Sequence, residues 1–268
     1  MADQLQENML FSCTHERHFG TEQLVVHHAL SIVISGRMEI FTPEGSRFFE
    51  AGKMGIMRKN TLLKTRKHPD KDGKPFKSFT IFLTEEFLRS YGLQNNIPAQ
   101  ERFTGPALYE IPEESFISGF FQSLLPYFDQ PAFFTSKLAA LKTEEAVELL
   151  LRLDRSFYGF LFDFSEPFKI DLEAFMQKNY LFNIPMAEFA RLSGRSLSTF
   201  KRDFSKIFNQ TPEKWLKQQR LNEARKLLQS NGLKPSDVYL QVGFENFSHF
   251  SHAFKNQFGY NASRVTNS

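Results

Sequence analysis

One cysteine, Cys13, in 268 residues excludes an internal disulfide and any zinc site built from several thiolates. Long apolar runs are missing. None approaches the ~20 residues of a membrane-spanning helix, so no membrane partner is expected. The first stretch, "MADQLQENMLFSC", lacks a basic segment followed by an apolar block and does not read as a secretory signal. The expected location is the cytoplasm. Catalytic patterns are missing too: no Gly-rich phosphate loop, nucleophile–base set or carboxylate pair rises above background. Neither an enzymatic activity nor a cofactor is expected.

Phenylalanine, by contrast, is abundant, at 32 residues, and implies an aromatic-rich core. Charged residues at 24% and apolar residues at 41% describe a folded globular chain, long enough for one large domain or two ordinary ones. The net charge of +3 is unevenly spread. Residues 166–268 hold 15 Lys and Arg against 9 Asp and Glu, whereas residues 1–165 hold 18 against 21. Only the last third has the charge balance to meet a polyanion.

The first third reads as strands. Short apolar runs alternate with turn signals at Ser35-Gly36-Arg37, Pro43-Glu44-Gly45-Ser46, Ala51-Gly52-Lys53 and Lys59-Asn60, a spacing that fits a compact antiparallel sandwich or barrel. The loop "HPDKDGKP" separates Arg66 from the strand-like "FKSFTIFL". From about Thr84 the pattern turns helical. "TEEFLRSYG" predicts a short helix with a Thr cap and a Gly stop. "PEESFISGFFQSLLPYF" opens on a proline and two acids. "TSKLAALKTEEAVELLLRLDRSFYGFLF" is the longest helix candidate. Its Leu138, Leu141, Ala146, Leu149, Leu150 and Leu153 exceed one stripe on a small sheet. Part of that surface is expected to pack on a second copy, making a homodimer; internal packing is the alternative. "DFSEP", residues 163–167, carries linker chemistry, and the domain boundary is placed there, giving residues 1–165 and 166–268.

Beyond the linker the chain is helical and repeats itself. In "FSHFSHAFKNQFG" the phenylalanines 247, 250, 254 and 258 are spaced for one helix face. At an offset of fifty, Phe200, Phe204 and Phe208 match Phe250, Phe254 and Phe258; Ser198 matches Ser248, and Ser196 matches Asn246. The last two are good N-caps. Each block follows a short helix and a tight turn: "PMAEFARLSG", with Pro185 suited to a first turn and Gly194 as stop, and "KPSDVYLQVGF", stopped by Gly243. Between them "TPEKWLKQQRLNEARKLLQSNG" predicts a long helix with an apolar stripe through Trp215, Leu216, Ala224, Leu227 and Leu228 and a terminal Asn-Gly. Two helix-turn-helix modules joined by one helix are the layout for two adjacent major-groove segments about 34 Å apart. The aromatic face anchors each short helix, and the opposite face is presented outward.

These residues resemble the AraC/XylS family of bacterial transcription regulators, over roughly Ile170 to Val265. "GFENFSHFSHAFKNQFGYNAS" is similar to the family's second-module signature. "ARLSGRSLSTFKRDFSKIFNQTPEKWL" is similar to the first, including Ala190 at a close helix crossing. Three departures fall in the second module. Tyr239 replaces a small residue, Asn261-Ala262 replaces a Ser/Thr-Pro pair, and His252 replaces a basic groove-facing residue. An imidazole titrates at about 6.5 in model peptides, so the first module is expected to carry most sequence reading. The resemblance implies a DNA-binding regulator, more often an activator, with double-stranded promoter or operator DNA as partner and RNA polymerase as a further one. It implies an α+β chain of two domains: an antiparallel β domain with a helical extension, and an all-α, homeodomain-like pair of helix-turn-helix modules.

By position, the resemblance places Ser198, Lys201, Arg202 and Ser205 on the first groove face, flanked by Ser196, Thr199 and Lys206. Arg202 is the foremost candidate, because a guanidinium holds guanine O6 and N7 bidentately; the alternative is an ion pair with Asp203 or Glu213. The second module offers Asn246, Phe247, Ser248, Ser251, His252 and Lys255.

The strand-rich region is similar to the cupin-like sensor domain that often precedes such a pair, somewhat as in family members that activate type III secretion. A small-molecule or protein effector, or dimerisation, is what that implies. A metal-dependent cupin enzyme would need several histidines and a carboxylate on one metal. His27-His28 is adjacent in a strand, so only one can point inward, residues 52–60 add no histidine, and His15 and His18 have no site spacing. No metal is expected. An alkyl-acceptor repair protein is the other alternative, and a lone Cys13 cannot build its multi-cysteine site.

Overall fold

A computed structural model describes residues 4–20, 24–113, 115–130, 133–231 and 233–265. The chain divides into two compact units, Met1–Ser165 and Glu166–Ser268.

The first unit begins with twelve strands among the described residues: β1 (Gln4–Gln6), β2 (Met9–Thr14), β3 (His18–Phe19), β4 (Leu24–Val25), β5 (His28–Ser35), β6 (Arg37–Thr42), β7 (Gly45–Glu50), β8 (Met54–Met57), β9 (Thr61–Leu62), β10 (Lys64–His68), β11 (Phe76–Leu83) and β12 (Leu108–Ile111). Every pairing is antiparallel. One sheet runs β1-β2-β11-β5-β8-β12, a second β3-β10-β6-β7, and β4 pairs with β9. The turns sit where the glycines require them. Gly36, between β5 and β6, has φ +74, and a Cβ there would stand 2.4 Å from the His68 carbonyl oxygen. One core joins Val33, Ile40, Phe49, Met57, Leu63, Phe76 and Leu108. The other joins Phe11, Leu30, Phe79 and Ile81 to apolar residues of the helices that follow.

Those helices are α1 (Glu85–Gln94), α2 (Ser115–Leu124), α3 (Pro126–Asp129), α4 (Ser136–Leu153) and α5 (Ser156–Phe162). Thr84 caps α1, accepting from the Phe87 N–H. The expected Gly stop is corrected: Gly92 lies inside α1, which ends at Gln94 with Asn95 as its cap. A Cβ on Gly92 would meet the Ile97 carbonyl at 3.3 Å and the Phe162 ring at 3.4 Å, so this glycine serves close packing. The long helix candidate is also corrected. It breaks at Asp154, which is extended at φ −152 and whose Oδ1 accepts from the Ser156 N–H at 2.7 Å, just ahead of α5. Its apolar surplus is taken up at home: Ala146 and Leu150 are buried, Leu138, Leu149 and Leu153 pack on the same core, and Leu141 is 50% exposed.

Asp163, read as the start of a linker, is instead locked into the first unit. It is buried, accepts from the Phe103 N–H at 3.0 Å and the Ser165 N–H at 2.9 Å, and pairs with Arg58. His28 is buried and accepts from the Lys59 N–H at 3.4 Å, while His27 is half-buried and His15 and His18 are exposed. Among the described residues no group of three His, Cys, Asp or Glu could hold a metal, and no helix is long and apolar enough to cross a membrane. Cys13 is buried in β2.

The second unit contains α6 (Leu172–Asn179), α7 (Met186–Leu192), α8 (Leu197–Phe208), α9 (Pro212–Asn231), α10 (Pro235–Gln241) and α11 (Phe247–Phe258), then a 3-10 turn at Ala262–Arg264. With 20 residues α9, not α4 with 18, is the longest helix among the described residues. Pro185 stands at the cap of α7 and not within its first turn. Glu114 and Gly232, both read as terminal signals, lie outside the described residues.

Candidate nucleic-acid interface

The two short helices that end each module, α8 and α11, are built alike. Phe200, Phe204, Phe250 and Phe254 are fully buried. Burying each ring is worth about 1.5–3 kcal/mol, far more than any surface contact on the opposite face. In the first module the rings of Phe204 and Phe208 lie 4.3 Å apart, and both touch Trp215 of α9, at 5.7 and 4.7 Å. In the second, Phe254 and Phe258 lie 4.6 Å apart within a core of Leu221, Ala224, Leu228, Val238 and Val242. Phe247 departs from the expected four-Phe face. It is 44% exposed and leans on Tyr239 at 5.6 Å.

Each helix is started by its cap. Ser196 Oγ accepts from the Thr199 N–H at 3.3 Å and contacts the hydroxyls of Ser198 and Thr199 at 3.1 and 3.0 Å. Asn246 Oδ1 accepts from the Ser248 and His249 N–H groups at 2.8 and 3.1 Å. The preceding turns match: the Arg195 N–H reaches Ala190 O, and the Phe244 N–H reaches Tyr239 O, both at 2.9 Å. Gly194 and Gly243 have φ +68 and +86. The turn is thus kept with Tyr239 in place of a small residue, its ring packing on Phe247 and against the core of the second module.

The outer faces hold the candidate residues. Ser196, Ser198, Lys201, Arg202, Ser205 and Lys206 are exposed on α8 and Thr199 is half-buried. On α11, Asn246, Phe247, Ser248, His252 and Lys255 are exposed and Ser251 is half-buried. The Arg202 side chain is 65% exposed, with its Nε 3.6 Å from Asp203. Glu213 is faced by Lys201, at 3.4 Å, and not by Arg202. Exposed pairs of this kind contribute about 0–1 kcal/mol, so either cation leaves its partner readily for a stronger anion. Desolvation works against the Asp203 carboxylate, yet the Arg195 hydrogen bond and the Lys169 and Arg202 charges hold it below the usual range. Arg195, at 3.3 Å, is the carboxylate's nearer partner.

Sequence reasoning passed over Leu197. It is 42% exposed at the first position of α8, and the offset of fifty that pairs it with Phe247 was the available signal. Arg195 was passed over too. It is tied to Ile170 O and Ser193 O at 3.0 and 2.7 Å and braces the first turn.

Comparison with known proteins gives two family matches. Residues 189–268 match a helix-turn-helix domain, and residues 28–158 match the ExsA N-terminal regulatory domain. The chain is 31% identical over 93 residues to the HTH-type transcriptional regulator ExsA of Pseudomonas aeruginosa, covering 35% of this chain and 34% of that protein. It is 32% identical over 137 residues to the virulence regulon transcriptional activator VirF of Yersinia enterocolitica, covering 49% of each. The match thus spans a third to a half of the length of these curated relatives. Among solved structures, apo ToxT from Vibrio cholerae aligns over 96% of both chains at 11% identity with a TM-score of 0.47.

Proposed function

We propose that the chain is a transcription regulator of the AraC/XylS type, supported by its matches to a helix-turn-helix domain and to the ExsA N-terminal regulatory domain, and that it binds double-stranded promoter or operator DNA and activates transcription. Helices α8 and α11 enter adjacent major-groove segments. The observation that carries this reading is the pairing of two capped helices, each seated by fully buried phenylalanines, with polar and cationic residues left on the outer face. Arg202 reads a guanine edge, and Lys201, Lys206 and Lys255 meet phosphates. Ser198, Ser205, Ser248, Ser251 and His252 approach base edges or backbone, and Phe247 suits a thymine methyl. Ser196, Thr199 and Asn246 hold the first turns that present these groups. Contact with RNA polymerase, an effector acting on the β-rich unit and a cytoplasmic location complete the reading.

The test is selection of bound duplexes from genomic fragments at two salt concentrations. A site of about two helical turns is expected. The three lysines assigned to phosphates predict a slope of log affinity against log salt of roughly −3. No enriched sequence, or binding indifferent to salt, would refute the reading. Arg202→Ala should lower discrimination between selected and random DNA by about 1–3 kcal/mol; parent-like discrimination would remove Arg202 from base reading.

A further inference from the structure

Residues 180–183 leave α6 and reach elements of both modules. The Tyr180 ring stands edge-on to Trp215 at 6.2 Å, while Leu181 packs in the core of the second module. Arg220, nine residues into α9, gathers this segment. Its Nε donates to Tyr180 O at 2.9 Å, its Nη2 to Phe182 O at 2.7 Å, and its Nη1 to Asn183 Oδ1 at 3.2 Å. The same Nη1 donates to Gly243 O at 3.1 Å, and Gly243 forms the turn between α10 and α11. Asn183 Nδ2 in turn donates to Glu245, beyond that turn. The approach is close: a Cβ on Gly243 would stand 2.7 Å from Leu181 O and 3.0 Å from Arg220 Nε. Burial lowers the guanidinium pKa to about 10, which leaves it charged at neutral pH, and charged donors make the stronger hydrogen bonds.

We propose that Arg220 is a positioning residue for two-site DNA recognition. It locks the turn of the second module against the lead-in to the first, and so sets the rotation of α11 relative to α8 and the half-site spacing the protein accepts. This rests on the reading that both helices enter one duplex. Each base pair added between half-sites turns one by roughly 35° and shifts it ~3.4 Å relative to the other. A rigid pair of modules rejects that change, and a loosened pair tolerates it. Lysine keeps the charge but cannot reproduce a planar fork with donors on three carbonyls and an amide.

The experiment uses the full chain. A duplex selected by the parent protein is rebuilt with one base pair added or removed between its half-sites. Parent affinity should fall by about 100-fold or more on either change, because the second contact is lost. In Arg220→Lys that penalty should shrink to less than about tenfold, with binding to an isolated half-site unchanged. Should Arg220→Lys not fold, as judged by Trp215 emission, Asn183→Ala combined with Glu245→Ala opens the second link and is read the same way. A full spacing penalty in the folded variant, or none in the parent, would overturn the assignment. If the parent selects no sequence, the DNA-binding reading itself falls, and this inference falls with it.

Discussion

Phe204→Ala probes the anchoring on which the outer face of α8 depends. The ring is fully buried and lies 5.7 Å from Phe200, 4.3 Å from Phe208 and 5.7 Å from Trp215. Truncation removes these contacts and leaves a ring-sized cavity, which costs about 3–5 kcal/mol in a core. Trp215 is the chain's one tryptophan and is buried against the same rings. Its emission therefore reports the first module even when the other unit unfolds separately, as two-unit chains often do. With an m-value of about 1–3 kcal/mol/M in urea, the midpoint should fall by at least ~1 M. Ile207→Ala, on the same helix at 42% exposure, should stay within about 0.5 kcal/mol of the parent. A Phe204→Ala midpoint within about 0.3 M of the parent would mean that the aromatic face does not seat α8, and the presentation of Arg202 would need another cause.

Other outcomes follow from particular contacts. Gly194→Ala forces a side chain to φ +68 with its Cβ 2.1 Å from the Phe168 carbonyl carbon; the backbone alone costs about 1–2 kcal/mol, and the clash adds to it, so a Trp215 transition unchanged from the parent would contradict the close approach. Burial first, then the charges of Lys59 and Arg58, push His28 down to about 3, whereas an unfolded histidine titrates at about 6.5. The folded state holds the neutral form, so this contribution is complete above pH ~6.5 and is lost as the pH falls toward 3, about 2 kcal/mol between pH 7 and pH 5. Thermal melts of the β-rich unit should show that loss and His28→Gln should flatten it; an unaltered slope would place its source elsewhere. His252→Arg adds a permanent charge to an exposed α11 position and should tighten duplex binding at neutral pH, with equal or weaker binding arguing that position 252 faces neither phosphate nor base.

The helices of the second unit were legible because their signals are short-range. Phenylalanines three and four residues apart, Ser196 and Asn246 at caps, and Gly194 and Gly243 at left-handed turns each act within one helical turn. Gly92 misled because glycine marks a helix end and a tight crossing with the same letter; only the Phe162 ring beside it tells them apart. The break at Asp154 was hidden by residues that suit a helix on either side. Asp163 looked like linker because nothing near it in sequence reveals Arg58, 105 positions away.

The amino-acid order alone determined that two similar helix-turn-helix blocks exist, which of their faces are aromatic, and which polar residues stand opposite. Local periodicity and capping depend on neighbours within about four residues. What only the tertiary structure decided is how those blocks are held together. Arg220 collects carbonyls 40 and 38 residues before it and 23 after it. Hydrogen bonds across such separations leave no periodic trace in a sequence, because they form only once the core has brought distant backbone within reach of one side chain.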